Sequence, residues 1–78
     1  MEQTLQRFGE NVRAARLARG WTQEDLAGYS GMAAVQVSRV ERGKREIRLT
    51  TLIRLLDALN ASPTELLDGL LRNVEPRA

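Results

Sequence analysis

The sequence predicts an all-α protein built from five helices. Apolar residues recur at spacings of three and four along the chain, and no alternating run of β-branched residues competes with this helical period. A length of 78 residues leaves room for one small domain. We therefore expect a single domain over residues 1–78, with a core over about 5–72 and a tail, 73–78, that frays.

The first two predicted helices have recognisable start and stop residues. Helix one runs from about Thr4 to Arg19 and is closed by Gly20. Helix two runs from Gln23 to Tyr29 and follows a capping box, Thr22-Gln23-Glu24-Asp25, in which aspartate replaces the usual Glu or Gln. The apolar residues that define helix one are Leu5, Phe8, Val12 and Ala15.

Three further helices follow by the same reasoning. Helix three runs from about Ala33 to Arg42 and ends at Gly43. Helix four, Leu49 to Leu59, is apolar over so wide an arc that we expect it to be central. Helix five opens with Ser62-Pro63-Thr64-Glu65, which combines an N-cap serine with proline at the first helical position, and runs to about Arg72.

Composition removes several function classes. The chain has no cysteine and no histidine, so disulfides, thiol nucleophiles, imidazole bases and the usual soft metal ligands are missing. No run reaches the roughly 18–20 apolar residues of a membrane span, and no secretory signal is visible. We expect a cytoplasmic protein that is not an enzyme, with no metal, no cofactor and no evident small-molecule ligand.

Positive charge is concentrated in one part of the chain. The formal net charge is only +2, but residues 1–48 carry nine bases against six acids, whereas residues 49–78 carry three against four. A dense basic cluster suits contact with a polyanion, although a solvated charged face has the same composition. The clustered bases are Arg39, Arg42, Lys44, Arg45 and Arg48.

Residues 23–42 meet three packing conditions of a helix-turn-helix. Ala27 is small enough to let two helices approach, and Gly31 accepts a left-handed turn four residues later. Val37 and Val40 fill the space between the helices from the second one. Each feature is common, but their joint spacing is much rarer. An unrelated helical hairpin is the alternative.

Four segments extend this pattern over most of the chain: residues 8–13 (FGENVR), 16–27 (RLARGWTQEDLA), 38–45 (SRVERGKR) and 52–59 (LIRLLDAL). With them the sequence resembles the phage Cro/repressor (Xre-type) helix-turn-helix family, and most of all the small stand-alone controller proteins of restriction-modification systems. The resemblance covers about Leu5 to Leu67. It implies a compact, lambda-repressor-like fold and a dimeric, nucleoid-associated transcription regulator that reads a partly palindromic double-stranded DNA operator through the major groove.

The resemblance implies that the exposed start of the second motif helix meets base edges. Many relatives have polar residues at its first positions, which supply an N-cap and hydrogen bonds. The side chains of Ala33, Ala34 and Val35 can make neither, so we expect fewer polar contacts to bases here. Alanine and valine can contact thymine methyl groups, glutamine suits adenine, and arginine suits the O6/N7 edge of guanine. Packing between helices is the alternative for Ala34 and Val35. The implied base-reading residues are Ala33, Ala34, Val35, Gln36 and Arg39.

Other matching positions are implied to hold the DNA backbone or the fold. Gln23 matches a family glutamine that holds a phosphate together with the helix N-terminus; an ordinary exposed helix-start residue is the alternative. Arg16 and Glu41 match an internal ion pair, which we assign to stability because a partly buried lone charge is costly. The other implied backbone contacts, unless they are solvated charges, are Arg42, Lys44, Arg45 and Arg48.

The fifth helix has more apolar side chains than one side of a terminal helix needs. We expect Leu66 and Leu67 to close the monomer core and the others to form a twofold homodimer interface, which would place two recognition helices about 34–36 Å apart. Folding back onto helix four is the alternative. The expected interface residues are Leu59, Leu70, Leu71 and Val74.

The sequence also fits a second function. A protein-interaction module of the antitoxin or antirepressor type would use the same fold to hold a protein partner. The apolar surface at Ala33, Ala34 and Val35 is the feature that favours it. Retention on heparin would favour DNA binding, and elution in the flow-through would favour the protein partner.

Overall fold

The computed structural model describes residues 2–70, with side chains from residue 3 onward. All regular structure in this range is helical, which confirms the all-α prediction, and the first four helices lie within two residues of their expected bounds. The expected fraying of residues 73–78 lies outside the described residues. No helix of residues 2–70 has the length and hydropathy of a membrane span. The helices are α1 (Glu2–Ala18), α2 (Gln23–Ser30), α3 (Ala34–Glu41), α4 (Leu49–Leu59) and α5 (Pro63–Leu67).

One hydrophobic core joins all five helices. α1 supplies a stripe at helical spacing, and each of the other helices adds one or two fully buried side chains to it. The three residues that define the helix-turn-helix packing, Ala27, Val37 and Val40, are all buried as expected. The complete core set is Phe8, Val12, Ala15, Leu26, Ala27, Val37, Val40, Leu55, Leu59 and Leu66.

α4 is less buried than its wide apolar arc suggests. One face packs against α2 and α1 through Leu55 and Leu59, which are 0% and 1% exposed. Leu49 and Ile53, four residues apart on the opposite face, are 72% and 48% exposed. Assigning Leu59 to a dimer interface was therefore wrong, because its side chain is enclosed by the monomer's own core.

α5 is shorter than the expected helix, which was to reach about Arg72. Its last helical residue is Leu67, and Asp68 leaves the helix with ψ 128°. The side-chain amide of Asn11, on α1, donates to the carbonyl oxygens of Leu66 at 2.8 Å and of Asp68 at 2.9 Å. These bonds satisfy carbonyl groups that a longer helix would have used itself, so the chain turns instead of continuing.

α3 ends in a tight cap that also touches α1. Gly43 has φ 68°; its amide donates to the carbonyl of Val40, and the amide of Lys44 donates to the carbonyl of Arg39, both at 3.0 Å. This pair of hydrogen bonds is the pattern of a Schellman motif. A Cβ atom on Gly43 would lie 2.8 Å from the Cα of Gln6. Glycine is therefore required both by the turn and by the close approach.

Candidate nucleic-acid interface

The α2–turn–α3 unit is fixed by local hydrogen bonds. Before α2 the capping box is complete: the amide of Asp25 donates to Thr22 Oγ1 at 3.0 Å, and the amide of Thr22 donates to Asp25 Oδ2 at 2.9 Å. After α2, Gly31 adopts φ 71°. The buried Ser30 hydroxyl donates to the carbonyl of Leu26 at 2.7 Å. The turn therefore holds α3 at a defined angle to α2.

α3 also touches α1 backbone to backbone. A Cβ atom built on Gly9, in the middle of α1, would collide with the carbonyl oxygens of Val40 and Glu41. Only glycine allows the two helices to come this close. The end of α3 is thus held by α1, while the start of α3 is held by the turn from α2.

A buried ion pair joins the same two helices. Arg16 Nε lies 2.6 Å from Glu41 Oε2, and Arg16 Nη2 donates to Glu41 Oε1 at 3.0 Å. The side chains are only 8% and 2% exposed. Arg16 Nη1 donates in addition to the carbonyl of Trp21 at 2.7 Å. The hydrogen bonds to Glu41 raise the pKa of Arg16 above its ordinary value, against the lowering effect of burial. The ion pair expected from the sequence is present.

Gln23 belongs to this network as well. Its Nε2 donates to Glu41 Oε1 at 3.1 Å, and the residue is partly buried at the start of α2. Gln23 is therefore tied to the end of α3, unlike an ordinary exposed helix-start residue. An amide nitrogen carries two hydrogens, and the bond to Glu41 uses one of them.

One stripe of α3, continued by its C-cap residue Arg42, points away from the core. Val35 is 53% exposed, and Arg39 and Arg42 follow it by four and seven residues, both exposed. Arg39 forms no ion pair with any residue of the described range. Ala34 is only half-exposed and packs against the core, which favours the packing alternative for this residue. The outward stripe is thus shorter and more basic than the base-reading set implied by the resemblance.

Gln36 caps the start of α3. Ala33 is the N-cap residue, it is exposed, and its methyl side chain makes no capping bond. The backbone amide of Ala33 instead donates to Gln36 Oε1 at 3.0 Å. Gln36 therefore makes the third-position hydrogen bond of a capping box, whereas the N-cap residue, Ala33, makes no side-chain hydrogen bond. Sequence reasoning treated Gln36 as a base reader and overlooked this second role.

A basic groove lies beside α3. The segment between α3 and α4 adds three exposed basic side chains, Lys44, Arg45 and Arg48. Arg45 and Arg48 line a groove of about 360 Å³ between α3 and α4, together with Arg54. The sequence analysis did not single out Arg54, because it stands in the less basic part of the chain. No local signal points to Arg54 in the sequence, because six residues from Arg48 to Arg54 is not a same-face spacing on a helix.

The expected interface residues of the fifth helix are only partly described. Leu70 is partly buried and packs against the monomer core, so part of its apolar surface is already used. Leu71 and Val74 lie outside the described residues. The largest exposed apolar side chains on α4 are Leu49 and Ile53.

Comparison with known proteins agrees with this geometry. A helix-turn-helix family model matches residues 12–66. The control protein C.SmaI of Serratia marcescens is 45% identical over 60 residues, which cover 77% of this chain and 71% of the relative. The transcriptional repressor RghR of Bacillus subtilis is 43% identical over 56 residues, but the matched part spans 70% of this chain and only 42% of the longer relative.

Solved structures show the same fold. The restriction-modification controller protein C.AhdI of Aeromonas hydrophila superposes with a TM-score of 0.77 at 42% identity, over 80% of this chain and 94% of the other. The controller protein C.Esp1396I, solved as a tetramer in complex with its natural 35 base-pair operator, gives a TM-score of 0.77 at 28% identity, over 88% and 91%. The family match, the identities and the shared geometry agree, and the chain belongs to the Cro/repressor (Xre-type) helix-turn-helix family.

Proposed function

We propose that this chain is a homodimeric, sequence-specific DNA-binding regulator of transcription that reads a partly palindromic operator through the major groove. The observation that carries the proposal is the exposed stripe formed by Val35 and Arg39 of α3 and by its C-cap residue Arg42, which point away from the core. α3 is held rigidly at both ends, by the turn at Gly31 and by the ion pair at Glu41. A rigid helix that presents arginine at regular spacing suits insertion into a major groove.

The proposal divides the basic residues into two roles. Arg39, which lies on the outward stripe of α3, reads a base and most favourably a guanine, which arginine contacts through two hydrogen bonds. Val35 offers methyl groups to a thymine. Lys44, Arg45 and Arg48 lie beyond the end of α3 and hold phosphates on the flanking backbone. Arg42 stands between the two groups, and its Nε already donates to the carbonyl of Ser38 at 3.3 Å.

Gln23 holds a further phosphate of the DNA backbone, at the start of α2. The free hydrogen of its side-chain amide and the start of α2 face the same ligand, and the bond to Glu41 fixes the orientation of the amide. A phosphate contact at Gln23 is thereby coupled to the ion pair that positions α3. DNA backbone and base contacts would then be set by one network.

We place the twofold interface on α4 as well as at the chain's C-terminal leucines. Leu49 and Ile53 give α4 an apolar stripe that the described residues of one chain leave exposed. A second copy of the chain would cover it and set the spacing of two recognition helices. Leu70, Leu71 and Val74 remain part of the proposed interface, Leu70 with the surface that the monomer core leaves uncovered.

The biological setting is a narrower part of the proposal. The control protein C.SmaI matches 77% of this chain at 45% identity, and the controller protein C.AhdI matches 80% of it at 42% identity, so we propose the same kind of role for this chain. A regulator of this kind acts in the cytoplasm on the nucleoid and catalyses no reaction. α2 has two carboxylates in its first turn, Glu24 and Asp25, and Asp25 accepts the amide of Thr22 in the capping box, a structural role.

Selection of bound sites from a random duplex library tests the proposed function. We expect enrichment of one sequence with two inverted half-sites whose centres are one helical turn apart, bound by two chains. Failure to enrich any sequence, together with elution from heparin in the flow-through, would contradict DNA recognition. That outcome would favour the protein-interaction function, for which the exposed apolar surface at Val35 is the supporting feature.

A further inference from the structure

The side-chain amide of Gln36 is already committed on one side. Its Oε1 accepts the backbone N–H of Ala33 at 3.0 Å. Because the partner is an N–H donor, the atom facing it must be the amide oxygen, so the orientation of the amide is fixed. The two hydrogens of Nε2 are left for a ligand, and the residue is exposed.

This arrangement bears on which base Gln36 can recognise. The usual glutamine–adenine pair needs both amide atoms side by side: the oxygen accepts from the adenine N6 amino group while the nitrogen donates to N7. In this chain the oxygen is turned back toward the helix start. Ala33 has no side-chain oxygen that would cap α3 in its place, so releasing Gln36 would leave the start of α3 without its side-chain cap.

We propose that Gln36 reads a single hydrogen-bond acceptor on a base edge through Nε2 and does not form the two-bond pair with adenine. The matching edges are a purine N7, a guanine O6 or a thymine O4. This inference rests on the proposed function and concerns the specificity of the same α3 surface. Gln36 thereby couples helix capping to recognition, since the bond that caps α3 also decides which amide atom faces the DNA.

Base analogues in the selected operator separate the two modes of recognition. Replacing the contacted purine by its 7-deaza analogue removes the N7 acceptor and should weaken binding of the wild-type protein by roughly threefold to tenfold. Replacing adenine by 2-aminopurine removes the N6 amino group and should change affinity by less than about twofold, because no acceptor faces that group. Thymines and guanines are scanned in the same way with 4-thiothymine and 6-thioguanine, in which sulfur, a weaker hydrogen-bond acceptor, replaces O4 and O6.

The matched variants are Gln36→Met and Gln36→Glu. Methionine has the same length and a similar helix propensity but no amide, so it should bind the natural operator as weakly as wild type binds the sensitive analogue, and the analogue should have no further effect. Glutamate keeps the capping oxygen. We therefore expect Gln36→Met to lower the melting temperature by about 2–5 °C and Gln36→Glu not to lower it.

Several outcomes would overturn the inference. Equal losses from the 2-aminopurine and 7-deaza substitutions at one adenine, both absent in Gln36→Met, would establish the two-bond adenine pair. Equal weakening of operator and scrambled duplexes by Gln36→Met would make Gln36 a phosphate contact, and no weakening of either would remove it from the interface. A wild-type protein that enriches no operator would contradict the proposed function itself, which is a different result.

Discussion

Replacing Arg16 by methionine should destabilise the protein by about 3–5 kcal/mol. The loss comes from the carboxylate that remains, because the Glu41 side chain is 2% exposed and would keep only the bond from Gln23 among its three donor contacts. Glu41→Met should have an effect of similar size, since it leaves a guanidinium that is 8% exposed with the Trp21 carbonyl as its hydrogen-bond acceptor. A domain of this size has a total stability of about 5–10 kcal/mol, so each change is large.

The double variant distinguishes a buried pair from two independent residues. Arg16→Met together with Glu41→Met leaves no charge behind, so its cost should fall short of the sum of the single costs by about 1–3 kcal/mol. Urea unfolding followed by far-ultraviolet circular dichroism, at one fixed protein concentration because dimerisation adds to apparent stability, measures all four proteins. The exposed pair of Arg7 and Asp68 is the control: its charged atoms lie 3.8 Å apart and its side chains are 49% and 71% exposed. Its coupling should stay below about 1 kcal/mol.

Strict additivity at Arg16 and Glu41 would refute the reasoning. It would mean that neither residue depends on the other, although the two side chains share two hydrogen bonds. Coupling no larger than that of the exposed pair would lead to the same conclusion. The position of the end of α3 would then need another explanation, with the backbone contact at Gly9 the remaining one.

Two further predictions use matched pairs of residues. Gly9→Ala should destabilise the protein by about 1–3 kcal/mol, because the new methyl group meets backbone carbonyl groups that cannot move aside. Gly28→Ala should stabilise it by about 0.5–1 kcal/mol, because nothing lies within 4 Å of the added Cβ atom. Thermal melts in which both changes have the same sign would contradict this prediction. Ile53→Glu should convert dimers to monomers in a sedimentation experiment. Leu17→Glu is the control and should leave the dimer intact, since Leu17 is 50% exposed and Ile53 is 48% exposed. An unchanged dimer in Ile53→Glu would remove α4 from the interface.

Local signals explain why so much of the fold was predictable from the sequence. Caps are made by residues within three or four positions of each other, so the Thr22–Asp25 box and the left-handed Gly31 and Gly43 can be predicted from short segments. The end of α5 has no such local signal. Asn11 and Leu66 are 55 positions apart, and nothing near either residue shows that the side chain of one satisfies the carbonyl of the other.

Burial was harder to predict than helix position. The apolar residues of α4 look alike in sequence, but only tertiary packing decides that Leu59 is enclosed and that Leu49 and Ile53 face outward. The same limit applies to Gln36: the sequence shows that Ala33 cannot cap α3, but only the folded structure shows that the Gln36 amide oxygen accepts the amide of Ala33. Composition and spacing thus located the candidate interface, whereas the direction in which each side chain points came from the packed structure.

In the proposed function α3 reads bases, while the segment after it holds the DNA backbone. The affinity of Arg39→Ala and Lys44→Ala for operator and scrambled duplexes, measured over a range of salt concentrations, tests this division most directly. Removing Arg39 should cost about 1–3 kcal/mol on the operator and little on the scrambled duplex. Removing Lys44 should weaken both duplexes alike and lower the slope of log affinity against log salt by about one. Equal losses on both duplexes for Arg39→Ala would contradict the account and reduce Arg39 to a phosphate contact.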